Sequence, residues 1–249
     1  MEDTMTKAEK KKTNRKKRFD TAIIVAIIGL IGTLAVGILN SPLIVKLLDR
    51  SSTTPAGTSP ASNGEQLVFS EDFEDDAASG FAFETGKWEI VKDGSNFVLQ
   101  STATEPIAPA AKAYFGSNDF SDGSIEFRVK FLRPQGLYLD FHFQDEKGTY
   151  VLYISPEQQT IILATNILEN NDWQFASISA NSTRSITFQQ DTWYKIQLKL
   201  QGEDITLNID DNRVLSTSDS RFTQGRLRFT LDANAVVELD DVKVWSLKP

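Results

Sequence analysis

Residues 124–131 read SIEFRVKF, and residues 136–143 read GLYLDFHF. In the first stretch Ile125, Phe127, Val129 and Phe131 alternate with Glu126, Arg128 and Lys130. In the second, Leu137, Leu139, Phe141 and Phe143 alternate with Tyr138, Asp140 and His142. Successive side chains of a strand point to opposite faces, so this period of two marks strands that bury one face and wet the other. WYKIQLKL (193–200), ITLNI (205–209) and GRLRFTL (225–231) repeat the pattern. Turn-forming pairs fall between such runs: Asp93-Gly94, Asp122-Gly123, Lys147-Gly148, Gln201-Gly202 and the Asp210-Asp211-Asn212 triplet. From Gln66 onward about a dozen strands and no helix are expected, which describes an all-β, two-sheet antiparallel sandwich.

Working toward the N-terminus, Thr21–Leu39 (TAIIVAIIGLIGTLAVGIL) runs nineteen residues without a charge. A helix of that length spans roughly 28 Å, close to the hydrocarbon thickness of a bilayer. The stretch is longer than a signal-peptide core and no A-x-A site follows it, so an uncleaved signal-anchor is expected. Lys7, Lys10, Lys11, Lys12, Arg15, Lys16, Lys17 and Arg18 precede it, whereas only Lys46 and Arg50 follow closely. That asymmetry places the N-terminus in the cytoplasm and the C-terminal domain outside the cell membrane. Gly29, Thr33 and Gly37 share one helix face, a spacing that suits a helix–helix partner and is also ordinary in membrane spans. The expected organisation is a basic tail (1–20), an anchor with an interfacial turn (21–48), a Ser/Thr/Pro/Ala/Gly-rich tether (49–65) and the β-sandwich (66–249).

Residues 51–249 hold sixteen Lys/Arg against 29 Asp/Glu, a net charge of −13 in a chain whose total is −8. So acidic a domain repels phosphate backbones and argues against nucleic-acid binding. The absence of cysteine and the single histidine, His142, rule out Cys/His zinc sites and any mechanism that needs two histidines.

The segments VFSEDFEDDAASGF (68–81), WEIVKDGSNFVLQ (88–100) and FSDGSIEFRVKF (120–131) resemble the concanavalin A-like lectin/glucanase superfamily. WYKIQLKLQGEDITLNIDDNRVL (193–215) and GRLRFTLDANAVVELDDVKVW (225–245) are similar to its laminin-G-like and keto-sugar-hydrolase-like members. The resemblance covers about residues 66–247 and implies a jelly roll. It does not imply one function, because the fold hosts lectins, hydrolases and adhesion modules alike. Family 16 glycosidases of the superfamily carry E-x-D-x-x-E or E-x-D-x-E. Here Glu238-Leu-Asp240 is followed at the two decisive places by Val242 and Lys243, so the second glutamate is missing.

Three sets of residues stand out as candidate sites. If strands 124–131 and 136–143 pair as a hairpin through Arg133-Pro134-Gln135-Gly136, then Tyr138, Asp140 and His142 join Glu126, Arg128 and Lys130 in one polar patch with a single aromatic ring. Such a mixture suits a sugar, and equally describes a solvated sheet face held by cross-strand ion pairs. Trp173, in the polar stretch ENNDWQF, is the best placed of the four tryptophans to meet a ligand. In the last strand the apolar phase slips from Val237/Leu239 to Val242/Val244, which predicts a bulge at Asp240-Asp241. First and last strands are neighbours in this fold, so Asp72, Glu74 and Asp241 are candidate ligands of a structural calcium, or else an acidic edge that resists aggregation. The function expected is a membrane-anchored module that recognises a glycan or a surface protein. The alternatives are a hydrolase resembling the keto-sugar hydrolases and a structural subunit of a membrane complex.

Overall fold

In the computed structural model, which describes residues 64–103 and 111–247, strand β6 (Gly123–Phe131) buries Ile125, Phe127, Val129 and Phe131 completely. Strand β7 (Leu137–Gln144) buries Leu137, Leu139 and Phe141 in the same core. The two strands do not pair. Strand β6 lies between β12 (Trp193–Gln201) and β16 (Val236–Leu247), whereas β7 lies between β8 (Gly148–Ser155) and β15 (Gly225–Leu231) in the other sheet. The expected hairpin is therefore replaced by two strands in different sheets that line the same core. Period-two alternation is satisfied equally by pairing side by side and by lying in different sheets, and here the connection crosses between sheets. Gly136 sits where a Cβ would lie 2.4 Å from the Tyr153 ring, and its N–H donates to Asp232 (3.1 Å).

All sixteen strands among the described residues are in two antiparallel sheets, and those residues contain no helix. The first sheet runs β14 (Asn212–Ser218), β13 (Asp204–Ile209), β12, β6, β16, β4 (Asn96–Thr102), β3 (Lys87–Asp93), with β1 (Glu65–Glu71) also on β16. The second runs β10 (Asp172–Ser177), β9 (Thr160–Glu169), β8, β7, β15, β5 (Ala111–Phe120), β2 (Phe81–Thr85), with β11 (Thr183–Ser185) sharing the edge of β9 with β10. The inner faces meet through aromatic rings: Phe127 of the first sheet lies edge-on to Phe229 of the second at 5.0 Å, and Phe229 in turn stacks on Phe115 of its own sheet at 4.6 Å. Burying one such ring contributes about 1.5–3 kcal/mol, so this layer supplies the cohesion that disulfides would otherwise add.

Two of the bulges re-aim candidate site residues. The expected slip in β16 is present: Asp241 has φ 50° and the register with β6 shifts between Asp240 and Lys243. As expected of first and last strands, β1 pairs with β16, from Glu65 opposite Leu247 to Glu71 opposite Val242. A second bulge, not expected, lies in β7. His142 has φ 52° and the register with β8 shifts between Phe141 and Gln144. Phe143 consequently moves to the outer face opposite Arg226, and His142 turns inward among Phe120, Phe141 and Tyr150. Gly225 makes room for the bulge, since a Cβ there would lie 2.4 Å from the His142 carbonyl carbon. The anchor at Thr21–Leu39, the face formed by Gly29, Thr33 and Gly37, and the tether up to residue 63 lie outside the described residues.

Candidate functional site

The register fixes which residues share the outer face of the second sheet. One row runs Ser177, Ala164, Val151, Asp140, Arg228, Tyr114 across β10, β9, β8, β7, β15 and β5. The row beside it runs Ile162, Tyr153, Tyr138, Thr230, Lys112. On the other flank lie Trp173 opposite Leu168, Phe175 opposite Asn166, and Asn166 opposite Thr149. Tyr138, Asp140 and Trp173 thus occupy one face of one sheet, and His142 does not. Glu126, Arg128 and Lys130 are on the outer face of the other sheet, so they form no patch with them.

Each of these residues has defined partners. Asp140 is buried and accepts from Arg228 Nε (2.8 Å) and Thr230 Oγ1 (2.8 Å). Arg228 also lies 4.1 Å over the Phe143 ring and donates to the Tyr114 hydroxyl (3.1 Å). Tyr138 and Tyr153 stack at 4.4 Å, and both hydroxyls donate to Asp232, at 2.7 and 3.0 Å. Burial first, then the negative charges beside them, push both phenols well above their ordinary pKa and hold them protonated. His142 contributes nothing to this face. Its Nδ1 and Nε2 each lie 2.9 Å from a carbonyl oxygen, of Phe222 and Ser121 respectively, which leaves no ring nitrogen for a ligand.

Two of the five exposed large hydrophobic side chains among the described residues, Trp173 and Phe175, lie on the edge strand β10; the others are Leu67 and Val68 on β1 and Phe83 on β2. All six residues of β10 are exposed, with Trp173 at 42% and Phe175 at 48%. Two residues apart on a strand, these rings project from the same side. Phe175 was legible in DWQFAS by the same alternation that gives the strands. A shallow open depression of about 430 Å³ lies at one end of the face, among Asn118, Phe143, Gln144, Asp145 and Arg226.

The outer face of the first sheet is an ion-pair lattice. Lys130 Nζ lies 2.6 Å from Glu238 and 2.7 Å from Asp93, and Trp193 Nε1 donates to Asp93 (2.9 Å). Arg128 and Lys130 lie 4.8 and 5.0 Å over the Trp193 ring. Asp240 accepts from Asn96 (2.9 Å) and Arg128 (3.3 Å); burial, then the neighbouring charge of Asp241, raises its carboxyl above the usual range. Glu238 and Asp240, the two residues that match the start of the glycosidase motif, are therefore both buried against cations.

The calcium candidates are not assembled. Asp72 caps the Glu74 N–H (3.3 Å), Glu74 accepts from the Phe97 N–H (3.0 Å), and Asp241 pairs with Lys243 (3.1 Å) and Arg128 (3.7 Å). Among the described residues no group of three or more His, Cys, Asp or Glu is placed to hold a metal ion.

The sheet order and core define a two-sheet antiparallel jelly roll, and solved structures share that fold. The carbohydrate binding module CBM66 from Bacillus subtilis is similar over 66% of this chain and 95% of its own, at 16% identity and TM-score 0.52. A glycoside hydrolase family 16 endo-glucanase from Bacteroides ovatus matches over 71% and 99%, at 14% identity and TM-score 0.53. A protein of unknown function with a galectin-like fold from Bacillus subtilis matches over 74% and 99%, again at 14% and 0.53. No family model and no curated protein matches the sequence.

Proposed function

We propose that this chain is a glycan-binding module tethered to the outside of a cell membrane by Thr21–Leu39. The observation that carries the reading is the placement of Trp173 and Phe175, exposed, on the same outer face as the partly exposed Tyr138 and Tyr153. Strand β10 lies three strands from β7, a span of roughly 14 Å at ordinary strand spacing, long enough for more than one sugar ring. Aromatic faces cover the apolar side of a pyranose, while fixed donors and acceptors beside them meet its hydroxyls. Structures of the same fold include a carbohydrate binding module and glucanases, which supports the choice of ligand class. Binding is favoured over hydrolysis because Glu238 and Asp240 are committed to Lys130 and Arg128.

The test is a glycan array with residues 59–249, a compact unit that contains its whole core, followed by titration of the best oligosaccharide against Trp173→Ala and Phe175→Ala. Each substitution should weaken binding on the order of tenfold, the loss of one stacking platform, and leave the unfolding midpoint unchanged. Unaltered affinity in both variants would remove this face from the reading.

A further inference from the structure

At the edge where β11 and β14 approach, a cleft of about 460 Å³ is lined by Arg184, Arg213, Val214, Leu215 and Ser216. The described residues include seven arginines. Four of them pair with a carboxylate: Arg128, Arg221, Arg226 and Arg228. Arg133 reaches the Asn234 carbonyl (3.5 Å). Arg184 donates only to the carbonyl of the preceding Thr183 (3.2 Å), and no partner of Arg213 is present among the described residues. In a domain with 29 Asp/Glu against sixteen Lys/Arg, two arginines without a carboxylate in one cleft require a reason.

Local geometry keeps the acids away. Asp210 and Asp211, next to Arg213 in sequence, are both turned to Lys195: Asp210 accepts its backbone N–H (2.9 Å) and Asp211 its ammonium (3.1 Å). The register of β14 with β13 shifts between Leu207 and Asn208, so the bulge at Val214 puts Arg213 on the outer face opposite Asn208 and Leu215 in the core opposite Leu207. Arg184 lies opposite Ile161, a core residue, and so extends from the inner side of its sheet into the gap between the sheets. Ser179 Oγ and Thr217 Oγ1, 3.2 Å apart, join the two edges beside the cleft. The two arginines come from different sheets and line one depression together with Val214 and the hydroxyl-bearing Ser216.

From this we infer that the cleft is an oxyanion site that takes the carboxylate or sulfate of an acidic saccharide. A guanidinium presents paired N–H donors that match both groups, and two of them lining one depression supply more than one such pair. The acidic remainder of the domain opposes an anion at long range, but at physiological ionic strength that field is screened beyond about 8 Å. The saccharide half of this inference rests on the glycan reading above, and the oxyanion half rests on the two arginines alone.

The experiment titrates residues 59–249 with an oligogalacturonate, a sulfated oligosaccharide and a neutral oligosaccharide of equal length, and repeats the set with Arg184→Gln/Arg213→Gln. At least one acidic oligosaccharide should bind about tenfold tighter than the neutral one, and the double variant should lose that preference while it keeps neutral binding. The arm that binds distinguishes carboxylate from sulfate. Acidic ligands that bind no tighter than neutral ones, or a preference unchanged in the variant, overturn the inference and leave the glycan reading standing. If no oligosaccharide binds, the glycan reading and the saccharide half fall together. Inorganic sulfate then decides the oxyanion half: a rise in unfolding midpoint absent from the variant upholds it, and no rise overturns it.

Discussion

Asp140→Ala removes the carboxylate that Arg228 and Thr230 share on the outer face of the second sheet. The side chains of Arg228 and Asp140 are only 13% and 6% exposed, so this is a buried pair and not a surface bridge. Truncating one member leaves a guanidinium charge out of water without its counter-ion, a loss of about 3–5 kcal/mol. The Phe143 and Tyr114 rings still face that guanidinium, which places the expected loss at the lower end, about 3 kcal/mol. For a domain of this size that lowers the thermal midpoint by roughly 6–12 °C. Asp140→Leu combined with Arg228→Met should recover most of it, because an apolar pair of similar volume incurs no desolvation cost. Urea unfolding of the single and paired variants measures both numbers. A single-variant loss below about 1 kcal/mol, the value of an exposed pair, would show that the pair is wetter than its burial implies.

The pH dependence has a predicted sign at Asp219. Burial pushes its carboxyl up, but hydrogen bonds from Arg221 and Tyr150 outweigh it and hold the group down at about 2. A depressed carboxylate stabilises the fold above its unfolded pKa, and that contribution is lost as pH falls toward 2. Asp219→Asn should therefore cost roughly 1–2 kcal/mol at pH 7 and close the gap with wild type near pH 2; a gap constant across that range would refute the assignment. Chelator should leave the unfolding midpoint within about 1 °C, because Asp241 already pairs with Lys243 and Arg128, whereas a clear fall together with calcium in elemental analysis would restore the metal site. Protease added to intact cells should remove the region beyond residue 65 and spare the basic tail, and digestion of the tail from outside would reverse the topology.

The sandwich was legible because alternation at Ile125–Phe131 and Leu137–Phe141 reports burial directly, and burial is what folds the chain. The slip from Leu239 to Val242 revealed its bulge for the same reason, through apolar residues out of phase. Pairing partners were not legible, since β6 and β7 alternate identically whether they lie side by side or in different sheets. The β7 bulge left no phase break either: Phe143 is apolar on either face, and its outward position depends on Arg226, eighty-three residues later. The candidate site was legible in its members and not in their state. Tyr138 and Asp140 share a face with Trp173 as a matter of parity, but their commitment to Asp232 and Arg228 is a long-range contact that no local pattern encodes.

One feature of the first sheet governs how the domain is made. An interior strand, β16, comes last in chain order among the described strands, yet it zips β6, β4 and β1 together. The contact between Glu65 and Leu247 closes a loop the length of the whole domain, and such closure is the slowest kind of native contact to form. Until Val236–Leu247 is in place, β1, β4 and β6 each have an unpaired edge. Completion of the first sheet therefore waits on β16, and a chain deprived of that strand exposes the edges of three others at once instead of a slightly weakened sheet.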